Sequence, residues 1–310
     1  MRVGRSMLDL VGHTPVVRLS HVVPEAAADV LVKLEWFNPT GSYKDRMALT
    51  MIEEAERRGQ LEPGMTVVEC TGGSTGSSLA YVCAAKGYRL RVVTSDVFAE
   101  EKLKTIAALG AQLIVLPSEG GGITSELVTR MIGRARELAA EPGTYWTDQL
   151  NNRDALVGYR GIGEELIEQL DGDLDVFCGA VGTAGMTMGV AEALAAAGAT
   201  ARVVLLEPAA SPAISGGPVG AHRVDGIGLG FVPPLLDPER YDEVRPIEEA
   251  DAREMARRLA ATEGLFAGTS TGLNVTGAVG LAEELGPGHA VVTVACDTGL
   301  KYLADDLYAP

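Results

Sequence analysis

Apolar runs of strand length alternate with longer stretches of helical periodicity along most of this chain. MTVVEC (65–70) is short and rich in β-branched residues and predicts a strand, and GSSLAYVCAAKGY (76–88) predicts a helix after it. LRVVTS (90–95), QLIVLP (112–117) and the helical stretches AEEKLKTIAALG (99–110) and SELVTRMIGRARELAAE (125–141) continue the alternation. After the polar stretch TDQLNNRD (147–154) the pattern restarts. GEELIEQL is helical, LDVFCGA a strand, GMTMGVAEALAAAG a helix and ARVVLLEP a strand. Residues 208–246, rich in Pro and Gly and poor in periodicity, predict a long irregular connection of the kind that often carries function. Helices near 249–263 and 272–285 and a strand at 290–296 complete the reading. Such alternation predicts an α/β architecture with mostly parallel sheets flanked by helices. Two domains are expected: a smaller, movable one over 36–150, and a larger one combining 1–35 with 151–310. Ligands in such folds lie outside the carboxyl ends of the strands.

Composition narrows the partners. The chain has 310 residues, 26 basic and 42 acidic, for a formal net charge of −16. That surface repels nucleic acid, and no Lys/Arg run offsets it. No run approaches the ~20 apolar residues of a membrane helix, and the N-terminus carries no apolar stretch of signal-peptide type. Cys70, Cys83, Cys178 and Cys296 form no CxxC pair, which argues against zinc and for reduced thiols in a cytoplasmic protein. His13, His21, His222 and His289 have no metal-like spacing, so no metal site is expected.

Five segments remain as candidates for chemistry. In NPTGSYKDR (38–46), turn residues precede a helix for which Ser42 is a plausible cap, and Lys44 falls in the first turn. The positive end of a helix dipole is an odd place for a structural lysine, and positive surroundings can free its amine as a nucleophile; taken alone, the motif reads more readily as a solvated surface lysine. ECTGGSTGSS (69–78) and AVGTAGMTMG (180–189) each follow a strand and open a helix, where backbone N–H groups converge on an anion. Each is equally a tight turn when taken alone. The second lacks both GxGxxG spacing and the Lys-Ser/Thr pair of a P-loop. EGLFAGTSTG (263–272) and ACDTGLKYL (295–303) fall at strand or loop ends and carry nothing by themselves.

Taken in order, these segments resemble the cysteine synthase/cystathionine β-synthase family of fold-type II enzymes dependent on pyridoxal 5′-phosphate (PLP). VGHTPVVRL (11–19) is similar to that family's N-terminal signature, NPTGSYKDR to its lysine motif, TGGSTG to its substrate-carboxylate loop and GTAGM to its phosphate cup. GIGLGF (226–231) and EGLFAGTSTG match two more family segments. The resemblance covers nearly the whole chain and implies a two-domain fold like that of the tryptophan synthase β-subunit. It implies that Lys44 forms a Schiff base with PLP and shuttles the α-proton. Gly182, Thr183, Ala184, Gly185, Met186 and Thr187 would wrap the phosphate, and Ser270 would bond the ring nitrogen. Thr71, Gly72, Gly73, Ser74 and Thr75, with Gln149 and Gly226, would meet the substrate, and Ser74 would also face the cofactor.

A neutral hydroxyl at the ring nitrogen makes a weaker electron sink than a carboxylate partner, which favours loss of a β-substituent over transamination. The implied activity is β-replacement on an O-activated L-serine through an aminoacrylate, with a small nucleophile as second substrate and ping-pong kinetics, in a homodimer. Three residues depart from the family pattern. Ser74 stands where Asn is usual, Met186 where Thr is usual, and Tyr43 where a small aliphatic residue is common. They point toward a donor or nucleophile other than those of plain cysteine synthesis. Two alternatives share the motifs: a PLP dehydratase or desulfhydrase that ends in β-elimination, and a catalytically silent binding protein of the same fold.

Overall fold

The computed structural model describes residues 3–118, 124–304 and 306–309. In chain order its elements are β1 (Val16–Arg18), β2 (Asp29–Leu34), α1 (Lys44–Arg57), β3 (Thr66–Cys70), α2 (Ser74–Lys86), β4 (Arg89–Ser95), α3 (Glu100–Ala108), β5 (Gln112–Leu116), α4 (Ser125–Ala139) and β6 (Thr144–Trp146). Then come α5 (Asp154–Gln169), β7 (Val176–Ala180), α6 (Gly185–Ala196), β8 (Arg202–Pro208), β9 (Glu243–Ile247), α7 (Glu249–Arg258), α8 (Thr269–Leu285) and β10 (Ala290–Ala295). Among the described residues, no helix is long and apolar enough to cross a membrane.

The chain divides into two compact units. One comprises Lys44–Gly158 with the N-terminal residues through Val11, and the other Gly12–Tyr43 with Tyr159–Pro310. The first holds a four-stranded sheet in the order β5-β4-β3-β6, parallel throughout. β3 is buried along almost its whole length, which is why TVVEC reads as a continuous rather than an alternating pattern. Helix α4 seals one face, with Leu127, Met131, Ala135 and Leu138 packed on Val68 and Val93.

The second unit holds a six-stranded sheet in the order β1-β2-β10-β7-β8-β9, parallel except for β1. Its core is built from Val30, Val32, Val176, Val204, Leu206 and Val291 on the strands and Leu273, Ala278 and Leu281 on α8. β2 carries one charged group into this interior. Lys33 is fully buried, and its Nζ donates to Thr14 O (2.6 Å), Glu165 Oε2 (2.6 Å) and Gln169 Oε1 (2.8 Å). Glu165 in turn accepts from the N–H groups of His13 (2.9 Å) and Thr14 (3.2 Å). The ammonium thus has three acceptors, the arrangement under which a buried charge is tolerated.

The structure departs from the sequence reading in specific places. Strand β9 lies at the end of the 208–246 segment read as irregular, and it pairs with β8. The helix read near 249–263 is α7 followed by a π-helical turn over Leu259–Glu263, closed by Gly264 at φ 67°. Helix α5 begins nine residues before GEELIEQL, at Asp154.

Replacing Lys33 by Met takes the ammonium away from Glu165 and the other acceptors of this buried network. The expected cost is about 3 kcal/mol of stability, read as a lower urea midpoint with an unchanged slope.

Candidate active site

ECTGGSTGSS and AVGTAGMTMG run from the ends of β3 and β7 into the starts of α2 and α6, where parallel sheets present ligands, and NPTGSYKDR and EGLFAGTSTG lead into the starts of α1 and α8. In the first unit, Lys44 is the opening residue of α1 and is 8% exposed. The chain leading to it is fixed within the second unit. Ser42 bridges antiparallel to Asp297, and Tyr43 N–H donates to Cys296 O at 3.0 Å. The buried Tyr43 ring lies on Tyr159 with centroids 5.4 Å apart. Burial drives both phenols well above their ordinary pKa, so they are neutral.

The segment Cys70–Thr75 carries the chain from β3 into α2. Gly73 caps α2 without a side-chain hydrogen bond. A side chain at Gly72 would overlap the Phe98 ring, so only glycine lets the loop lie against it. Gln149 spans the loop from outside: its Nε2 donates to Cys70 O (3.2 Å), and its Oε1 accepts from Thr75 Oγ1 (2.8 Å). Beneath them lies Glu69, 2% exposed. Its carboxyl accepts from Cys70 N (2.6 Å), Thr147 Oγ1 (2.7 Å) and Gln149 N (3.1 Å). Burial outweighs these donors and pushes Glu69 up to about 7.

In the second unit, Val181–Ala184 joins β7 to α6. Ala184 caps the helix in the left-handed region at φ 66° and offers no side-chain bond. Among the described residues, the N–H groups of Gly182, Thr183 and Ala184 find no hydrogen-bond acceptor. The first amides of α6 are likewise free of intrahelical partners, as at any helix start. Thr187 Oγ1 donates to Ala184 O (3.1 Å), and Met186 is buried against Gly179. A Cβ on Gly182 would overlap the carbonyl of Gly226, so the turn and the 226–230 loop approach at glycine distance.

Ser270 lies in the first turn of α8, 4% exposed, after the Gly268 cap. Its hydroxyl has no partner among the described residues. Neighbouring Thr269 Oγ1 accepts from Asp225 N (3.3 Å), which brings Ser270 and Gly226 into one neighbourhood.

The anticipated residues therefore fall into groups. Thr71–Thr75 and Gln149 form one, Gly182–Thr187 with Gly226 and Ser270 another, and Lys44 opens α1, which packs along α2. Three residues of the site, Glu69, Thr147 and Phe98, escape sequence reasoning. The signal for Glu69 is its place as the one charged residue of a strand that is otherwise buried. Phe98 lies in a segment with no motif.

The family model for pyridoxal-phosphate dependent enzymes matches residues 7–297. The chain belongs to this family. The enzyme is 42% identical over 306 residues to a cysteine synthase of Staphylococcus aureus (strain N315), covering 98% of this chain and 97% of the relative. A solved O-ureido-L-serine synthase is 38% identical with a TM-score of 0.93, covering 99% of this chain and 96% of that one. A cysteine synthase from Entamoeba histolytica is 31% identical with a TM-score of 0.94, covering 100% and 92%. The enzyme is thus a fold-type II, cysteine synthase-like protein.

The residues present fit its cofactor. Unpaired amides in a glycine-rich turn at the start of α6 suit a phosphate dianion. A nearly buried hydroxyl without a partner suits a ring nitrogen. Among the described residues, no cluster of His, Cys, Asp or Glu could hold a metal ion.

Two outcomes follow from this geometry. Gly182→Ala forces the turn away from Gly226 and is expected to weaken PLP binding about tenfold or more, measured by fluorescence titration of the apoenzyme. Glu69 has a folded pKa raised from 4.5 to about 7, so the folded state holds the proton more tightly than the unfolded one. Its contribution to stability is full below pH 4.5 and is lost as pH rises to 7. Melting temperatures of wild type and Glu69→Gln across that range should show wild type losing ground as pH increases.

Proposed function

We propose that the enzyme performs β-replacement on an O-activated L-serine, with Lys44 as the catalytic base and the Gly182–Thr187 turn as the phosphate site. When bound, PLP supplies an electron sink for the carbon skeleton of the amino acid. The amine of Lys44 holds the cofactor between turnovers, then takes the α-proton and returns it. Thr71–Thr75 and Gln149 bind the substrate carboxylate through hydroxyls and helix-start amides, and so fix which α-bond faces Lys44.

The observation that carries the reaction type is Ser270, a neutral hydroxyl held in the first turn of α8. Such a hydroxyl would hold the ring nitrogen without protonating it, and so would favour loss of a β-substituent over transamination. The likeness to an O-ureido-L-serine synthase as well as to cysteine synthases supports a nucleophile range wider than sulfide. Ser74, whose side chain is shorter than the Asn usual in the family, is compatible with such a range.

The test is a product screen with O-acetyl-L-serine and with O-phospho-L-serine, each offered sulfide, hydroxylamine-type and amine nucleophiles. A new β-substituted alanine supports the proposal. Keto-acid and ammonia as the sole products with every nucleophile would replace it with β-elimination. Lys44→Ala is expected to lower turnover by at least about 10³-fold. Ser270→Asp should slow β-replacement and open transamination, measured as stoichiometric conversion of the cofactor to its amine form.

A further inference from the structure

Glu69 is the only charged residue of β3, and no role in the proposed reaction uses it. Its position is nonetheless specific. One oxygen, Oε1, accepts from Cys70 N, and the other, Oε2, accepts from both Thr147 Oγ1 and Gln149 N. Cys70 and Gln149 are the residues that frame the Thr71–Thr75 loop, and Gln149 also reaches Thr75. One carboxyl therefore anchors both sides of the loop.

Thr147 makes this anchor tolerant of a proton. Its hydroxyl lies 2.7 Å from Glu69 Oε2 and 3.2 Å from Val68 O. With Glu69 ionised, Thr147 donates to the carboxylate. With Oε2 protonated, the new O–H donates to Thr147 Oγ1, and the threonine O–H turns to Val68 O. The hydroxyl oxygen on Glu69 keeps a lone pair for the Gln149 N–H. Both states leave every group partnered, so the loop keeps its shape while its local charge changes by one.

The other titratable groups near Glu69 do not offset that charge. Asp148 adds negative potential. The Cys70 thiol, pushed up to about 12 by burial and then by Glu69, is neutral. Tyr145 on β6 is raised by burial and is also neutral. On β4, Arg91 is engaged with Glu141 (2.6 Å). At the start of α2, Ser74, Thr75, Ser77 and Ser78 bring only hydroxyls.

We infer that Glu69 is a proton-linked positioning residue: it holds the loop and Gln149 in either protonation state and takes up a proton from solvent when an amino-acid carboxylate docks on Thr71–Thr75. The physical reason is mutual repulsion of two carboxylates around one half-buried loop, relieved by neutralising the one with a ready internal partner. The inference rests on the reading of Thr71–Thr75 as the carboxylate loop. Its direction is fixed: the ionised residue weakens the grip on the donor, so relative affinity falls as Glu69 loses its proton near neutral pH.

The experiment uses the holoenzyme and L-alanine, which has the carboxylate and amine of a donor but no β-leaving group. Dissociation constants are read from the cofactor's absorbance between pH 5.5 and 8.5 for wild type and Glu69→Gln. The ratio of the wild-type constant to the variant's cancels the titration of the ligand's own amine. It is expected to rise from about one at the acid end to about tenfold at the basic end. Thr147→Val removes the hydroxyl that favours the ionised form. It should shift the inflection to higher pH with folding intact, and it answers the question independently if Glu69→Gln folds poorly. A flat ratio together with an unmoved inflection in Thr147→Val overturns the inference. Thr71→Ala separates the two readings. Weaker alanine binding in that variant keeps the carboxylate loop even if Glu69 fails, and unchanged binding removes both.

Discussion

Helices α2, α6 and α8 open on Gly73, Ala184 and Gly268, and none of the three caps supplies a side-chain oxygen to the helix start. By contrast α4, remote from any motif, is capped by Thr124. A helix start leaves backbone donors without internal partners, and serine, threonine or aspartate at the cap ordinarily takes one of them. Glycine and alanine leave them for something else. Within each unit, the placement of the candidate groups follows from this. The donors are directed by the helices, the helices by the parallel strands that feed them, and the strands by the apolar runs that bury them.

The close approaches around these starts explain the glycines that pattern alone cannot. Gly72 admits the ring of Phe98, Gly182 admits the carbonyl of Gly226, and Gly268 admits the ring of Tyr302. At each of these positions a Cβ would move the turn that presents the amides. Ala184 shows the opposite case. It is a residue with a Cβ in the left-handed region, where each backbone torsion is somewhat costly, and the surrounding packing holds it there.

Much of this is legible in the sequence itself. The strands that are buried on both faces, β3, β7, β8 and β10, are largely apolar runs, and motifs sit at the ends of β3, β7 and β10. What escapes is short or non-local. β1, β6 and β9 span three to five residues each and gain their identity only from a partner strand. The pairing of β2 with β10 joins residues about 260 positions apart, with register Asp29 to Ala290, and no local pattern encodes it. Glu69 and Thr147 meet across 78 residues. In the sequence, the strand that carries Glu69 reads as plain core, and Thr147 reads as part of a polar break between domains.

The β2–β10 pairing also has a consequence for synthesis. β2 leaves the ribosome about 260 residues ahead of its parallel partner β10. At translation rates of roughly 5–20 residues per second, the strand waits on the order of 10–50 s for β10 to emerge. During that interval its apolar face and unpaired edge are exposed, with Lys33 lacking the acceptors on α5 until that helix has been made. Lys44–Gly158, an uninterrupted stretch with its own sheet, emerges whole well before then. Birth order therefore runs inside out: the middle of the chain is complete while both ends of the six-stranded sheet are still apart. Until its neighbour arrives, the charges of Asp29 and Lys33 oppose association of an otherwise sticky strand.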